Sequence, residues 1–150
     1  MRDRLSRERR SWNMSRIRSK NTEPEKVVRS FLWRKGYRYR LHVKITVPDS
    51  IKFPLRRRII CPDIVLPKHK LAIFVHGCFW HRHIGCKNCT TPTARRDWWL
   101  QKLNGNALRD KVHRRVLKQL GWNVAVVWEC AIKKPNEISR VEKQITKLLD

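Results

Sequence analysis

Long apolar runs are missing from this chain. No stretch approaches the ~18 residues a membrane-spanning helix needs. The N-terminal residues lack the apolar core of a secretory signal, so a cytosolic location is expected. Internal repeats are absent, and the one biased tract is a basic N-terminal stretch. Acid is scarce as well: 12 Asp and Glu stand against 36 Lys and Arg, a net charge of +24. That imbalance calls for a polyanionic partner, with nucleic acid first; a solvated basic surface or a membrane-surface role is a weaker reading. The 150 residues suit one domain with a modest core. In a reducing compartment, five cysteines favour metal or free thiols over disulfides.

What is present is concentrated. The segment from Phe74 to Cys86 carries three histidines, two cysteines and the adjacent aromatics Phe79 and Trp80. Imidazoles and thiols bind metals and carry protons. Neighbouring aromatics in a glycine-flanked loop are hard to bury together and suited to wedging between bases. Pro62-Asp63 lies just upstream.

Residues 1–21 read as a basic arm, flexible until laid on phosphates, and 22–150 as the folded domain. Thr22-Glu23-Pro24-Glu25 predicts a helix start, with Thr22 as cap, proline in the first turn and Glu25 at the capping-box position. Val27, Val28, Phe31 and Leu32 give it an apolar face, and Gly36 ends it. Tyr37 to His42 alternates like a half-buried strand. Residues 43–58, broken by prolines and ending in Arg56-Arg57-Arg58, predict a loop or distorted hairpin. Ile59-Ile60 and Ile64–Leu66 predict a strand carrying Pro62 at an irregular position. It turns at Pro67–Lys70 into a second strand, Leu71–Val75, as a hairpin. A helix is expected from about Thr93, interrupted near Asn104-Gly105 and closed by Gly121. A Val-rich strand over 122–128 and a last amphipathic helix follow. The fold class is α/β, with a central mixed sheet flanked by helices.

Asp63 is a candidate Mg²⁺ ligand, because that ion takes hard oxygen donors and few of them from protein. An Asx turn at a strand end is the plainer alternative. The next strand leads into His76, and phosphodiester hydrolysis needs both a cation and a base. Zinc wants about four N/S donors in a tetrahedron. Spacing alone leaves two sets open: Cys78, His81, Cys86 and Cys89 within one loop, or Cys78, His83 and Cys86 completed by the distant Cys130.

These motifs carry a resemblance. His76-Gly77-Cys78-Phe79-Trp80-His81, Pro62-Asp63, Trp128-Glu129-Cys130, the run from Arg10 to Thr22, and Asp97-Trp98-Trp99 resemble the very short patch repair (Vsr) endonucleases. The likeness spans about residues 10–132. It implies a restriction-endonuclease-like fold with a structural zinc site. The implied activity is Mg²⁺-dependent nicking of double-stranded DNA 5′ of the mismatched thymine in T·G mispairs left by 5-methylcytosine deamination. Carried onto this sequence, the resemblance makes Asp63 the Mg²⁺ carboxylate, joined by the Val75 backbone carbonyl. His81 becomes the water-activating base, with His76 beside it and Glu25 assisting. Cys78, His83, Cys86 and Cys130 become the zinc ligands, with Cys89 as a competitor. Phe79 and Trp80 would enter the DNA, with Trp99 assisting, while Trp98 is assigned to the core and Trp12, Trp33, Trp122 and Trp128 to packing. A bacterial cytoplasmic protein, nucleoid-associated when on DNA, is implied, acting as a monomer with repair proteins as candidate partners.

The sequence departs from the family in its longer link over 43–61, which could add a phosphate contact or disturb Asp63. Two rival readings follow: a zinc-stabilised DNA-binding module without catalysis, and a basic RNA-binding protein. The second leaves Pro62-Asp63 and His81 unexplained.

Overall fold

A computed structural model describes residues 5–150. The first four residues of the expected basic arm lie outside the described residues. Within that arm a helix, α1 (Arg7–Ser15), forms under a Ser6 cap that accepts the Arg9 N–H. It buries none of its residues.

Helix α2 (Glu23–Arg34) starts as its sequence dictates. Thr22 caps the Glu25 N–H, and the Glu25 carboxylate returns to the Asn21 N–H and the Thr22 hydroxyl. Its apolar stripe buries Val28, Phe31 and Leu32. Gly36, at φ +83°, turns the chain out of the helix in a conformation that glycine tolerates best.

The main sheet runs in the order β1 (Arg40–Leu41), β4 (Ile64–Leu66), β5 (Leu71–His76), β6 (Asn123–Trp128). β1–β4 and β4–β5 are antiparallel, and β5–β6 is parallel. The sheet is therefore mixed, and the 64–75 hairpin closes through a 3-10 turn at Pro67–His69. β4 and β5 are buried almost throughout, so they read as continuous apolar runs rather than alternation. A separate two-stranded ladder pairs β2 (Ile45–Thr46) with β3 (Ile59–Ile60). Residues 43–58, expected as a loop or distorted hairpin, thus supply one strand of this ladder, and the other lies just past them at Ile59–Ile60. The ladder also corrects the expectation of one strand through Pro62: β3 and β4 belong to different sheets. Proline lacks the N–H that a continuous ladder would use.

Helix α3 runs without a break from Arg96 to Gln119, so Asn104-Gly105 does not interrupt it. Glycine in a helix interior costs only about 1 kcal/mol, and burial of Leu103, Val112, Val116 and Leu117 along the helix outweighs that. α4 (Glu129–Ile132) and α5 (Pro135–Leu149) complete the chain.

Two clusters form the core. One joins α2, α5 and one face of the sheet through Val28, Leu32, Ile64, Ile73 and Ile145. The other joins α3 and the 43–61 segment to Ala72 and Phe74 on the opposite face. Helices thus cover both faces, and the C-terminal ends of β5 and β6 emerge side by side, His76 opposite Trp128. No helix among the described residues is long and apolar enough to cross a membrane.

Candidate active site

The chain after β5 carries the Cys/His loop, and the chain after β6 carries Glu129 and Cys130. Because the two strands are parallel neighbours, both segments leave the sheet at the same edge. Beside them opens a cleft of about 840 Å³, lined in part by Glu25, Asp63, His76, Trp80, His81 and Asp110. Val75, Phe79 and Glu129 also border it, as do Arg18, Lys102 and Arg109. Four of the chain's 12 acids, Glu25, Asp63, Asp110 and Glu129, therefore meet at one place.

Asp63 sits between β3 and β4, where its Oδ2 accepts the Val75 N–H at 2.7 Å. Burial pushes its carboxyl up to about 6. The Val75 N–H and His81 oppose that shift, while the charges of Glu25 and Asp110 reinforce it. Glu25 is 1% exposed at the α2 N-terminus, so its capping role and its place in the cleft coexist.

His81 Nδ1 lies 2.6 Å from Asp110 Oδ2. As the donor to a carboxylate, Nδ1 holds the proton of the neutral ring and leaves the lone pair on Nε2. Burial disfavours the Asp110 anion, but the His81 hydrogen bond and charge outweigh it and hold the carboxyl below its ordinary value. The His76 ring stacks on His81 at 3.9 Å between centroids, 2° from parallel. Burial, reinforced by His81, pushes His76 down to about 3, so this ring is neutral at physiological pH.

Asp110 escaped sequence reasoning. It stands in Arg109-Asp110-Lys111, where an acid reads as a solvated helix charge. Its one signal was isolation: a lone acid within basic residues in an acid-poor chain. Glu129, quoted in its motif but given no role, accepts the Cys78 N–H on Oε1 at 3.0 Å; Asn106, which donates to the Trp80 carbonyl at 3.1 Å, was missed.

Behind the cleft, Cys78, His83, Cys86 and Cys130 bring donor atoms within 4.8 Å of one another and could hold a metal ion. Both Cys78 Sγ and Cys130 Sγ stand 3.4 Å from His83 Nδ1. This is the long-range set of the two that spacing left open; Cys89 stands outside the converging group. Burial, reinforced by side-chain hydrogen bonding with Cys130 and Cys86, pushes the Cys78 thiol up to about 12. Backbone hydrogen bonding near Asn88 lowers Cys86.

Phe79, Trp80 and Trp99 form one aromatic group with centroid separations of 5.0–5.9 Å. Trp98 is not a core residue: it is 42% exposed, edge-on to Trp99 at 4.9 Å. Arg95 and Lys102 lie 5.0 and 5.2 Å from its ring. Trp12 and Trp33, expected to pack, are also exposed, each beneath an arginine, Arg16 and Arg38. In a chain this basic, cation–π contact substitutes for burial. Trp122 packs partly buried against the α3-side core, and Trp128 packs on His83.

Comparison with known proteins decides the family. The DNA mismatch endonuclease Vsr family matches residues 2–88. The type II nicking enzyme V.XorIIP of Xanthomonas oryzae pv. oryzae is 44% identical over 150 residues, covering 100% of this chain and 98% of the relative. The chain belongs to the Vsr family. The DNA mismatch endonuclease Vsr of Escherichia coli K12 is 36% identical, over 83% of this chain and 71% of its own. The type II nicking enzyme V.NmeAIP of Neisseria meningitidis is 40% identical, over 89% and 86%. Membership makes the chain a DNA endonuclease. Among solved structures, the catalytic domain of the homing endonuclease I-Bth0305I superposes with a TM-score of 0.51. It covers 85% of this chain and 94% of its own at 23% identity, a likeness of fold alone.

Proposed function

We propose that this Vsr-family endonuclease acts in very short patch repair. It nicks double-stranded DNA 5′ of the mismatched thymine in T·G mispairs, with Mg²⁺ at Asp63 and structural Zn²⁺ in the Cys/His cage. One observation carries the reading: Asp63, the His81–Asp110 pair and Phe79-Trp80 border a single cleft.

The donor sets suit these ions. A tetrahedral zinc with ligands at 2.0–2.3 Å sets its donors about 3.3–3.8 Å apart, and the two sulfur–imidazole separations here are 3.4 Å. In the cleft, Asp63 is raised partly by the charges of Glu25 and Asp110, a repulsion that a hard divalent cation relieves. Asp63 and the Val75 carbonyl would hold it. When bound, Mg²⁺ supplies electrophilic stabilisation of the charge developing on the phosphate.

The residues supply the rest. His81 takes a proton from water on Nε2, while Asp110 holds the Nδ1 proton and fixes the ring. The water oxygen forms a new bond to phosphorus as the bond to the 3′-oxygen breaks. The products are a 5′-phosphate and a 3′-oxygen that takes its proton from solvent. His76 stays neutral and backs the His81 ring. Glu25 assists from the α2 N-terminus. Arg18, Lys102 and Arg109 supply phosphate affinity without sequence information.

Phe79, Trp80 and Trp99 enter the duplex beside the mispair. Unstacking costs a few kcal/mol, least where pairing is poor, and inserted rings replace part of the lost stacking. The 43–61 segment is held by its own contacts: Phe53 stacks on His113 at 6.3 Å, and Arg58 hydrogen-bonds the Val47 and Ile51 carbonyls. Arg58 therefore braces its own loop. The reading places the protein in the bacterial cytoplasm, where its substrate lies.

Mapping the nick on end-labelled duplexes carrying each mismatch tests this. The expected product is a single nick 5′ of the T in T·G with a 5′-phosphate end. Equal cutting of paired and mismatched duplexes would overturn it.

A further inference from the structure

Four rings touch in series from the Cys/His cage to the proposed base. His83, a cage donor, stacks face to face on Trp128 at 4.1 Å and 4°. Trp128 meets His76 edge-on at 5.3 Å and 68°. His76 stacks on His81 at 3.9 Å and 2°, and His81 ends the series on Asp110 at 2.6 Å. The fold builds this series. His76 and Trp128 are register partners at the ends of the parallel strands β5 and β6. The loop from β5 then brings His83 back over the indole.

Three consecutive residues at the end of β6 and just beyond it grip the segment that leaves β5. Trp128 contacts His76 at the end of β5 and His83 in the loop, Glu129 holds the Cys78 N–H at 3.0 Å, and Cys130 joins the cage. The Trp128 ring touches both the cage donor His83 and the cleft-lining His76. His76 is 4% exposed, so its ring is closely packed by its neighbours. Interiors packed at crystal density transmit displacements.

We infer that Trp128 is a positioning residue: its indole passes the order of the metal-held His83 ring to His76, and through His76 to His81, the proposed base. The cage thereby sets the geometry of the nicking site as well as the stability of the loop. This rests on the nicking reading above. A shift of about 1 Å in a reacting group can cost roughly a hundredfold in rate.

The test uses the full chain as wild type, Trp128→Leu, which keeps an apolar side chain without a ring, and Trp128→Phe, which keeps a smaller ring. Zinc content and thermal unfolding are measured for each. Single-turnover nicking at saturating T·G duplex should fall roughly ten- to hundredfold in Trp128→Leu. Its zinc content and duplex Kd should match wild type, and Trp128→Phe should recover most of the rate. A wild-type rate in Trp128→Leu at full zinc would overturn the inference. So would a rate loss that only tracks zinc loss.

A second readout needs no activity. In wild type, stripping the cage metal should shift the imidazole NMR resonances of His76 and His81, and in Trp128→Leu those shifts should largely vanish. Equal shifts in both proteins would overturn the coupling. If wild type nicks no duplex at all, the function reading fails while this comparison still decides the role of Trp128.

Discussion

Asp110 on α3 holds the Nδ1 of His81 at 2.6 Å, across a sequence gap of 29 residues. A helix on one face of the sheet thus orients a ring delivered by the loop that leaves the sheet edge. Replacing Asp110 by Asn removes the charge and permits the opposite tautomer. The expected result is a nicking rate lower by about a hundredfold or more, with Kd for mismatched duplex within twofold of wild type. Single-turnover kinetics beside a binding titration check it.

The cage should carry stability. Cys130→Ser removes the donor from the far end of the chain, so zinc content should fall and the unfolding temperature with it. Metal analysis and thermal melts check this. Unchanged metal would point to a set completed by Cys89.

Much of this architecture could be read locally. The α2 capping box, the 64–75 hairpin, the Val-rich β6 and the dense Cys/His loop each declare themselves within a few residues. Side-chain periodicity does not say which face of a 24-residue helix covers a cleft. Asp110, Asn106 and the exposure of Trp98 were therefore out of reach. Asn104-Gly105 misled for a related reason: local breaking propensity was outweighed by burial on both sides of it. The choice between two cage donor sets depended on β5 and β6 being neighbours, a long-range fact that spacing cannot hold.

The aromatic group should govern selectivity. Trp80→Ala should lower the preference for T·G over paired duplex more than it lowers general DNA affinity. Parallel titrations of both duplexes, with nicking rates, check this. Equal losses on the two would make Trp80 an ordinary contact.

His76 gives the stability curve an acid limb. Its folded value of about 3 lies below the ordinary 6.5, so between these values the unfolded chain binds a proton that the native ring refuses. Stability from this group is complete above pH ~6.5 and drains away as pH falls toward 3. Asp63 runs the opposite way. Its folded value of about 6 against 3.8 gives stability that is full below ~3.8 and lost as pH rises through ~6, while cation affinity rises over the same window. His76→Gln should therefore flatten the loss of stability on acidification. Denaturant melts of both proteins from pH 7 to 4 check the difference.

The central claim is that Asp63 and His81 serve one hydrolytic site beside an aromatic wedge. Its most direct test is nicking of a T·G duplex, with and without Mg²⁺, by wild type, Asp63→Ala and His81→Ala, with DNA binding measured in parallel. The account predicts Mg²⁺-dependent nicking by wild type alone, with binding retained in all three. Full activity in either variant, or wild-type nicking that ignores the mismatch, would contradict it.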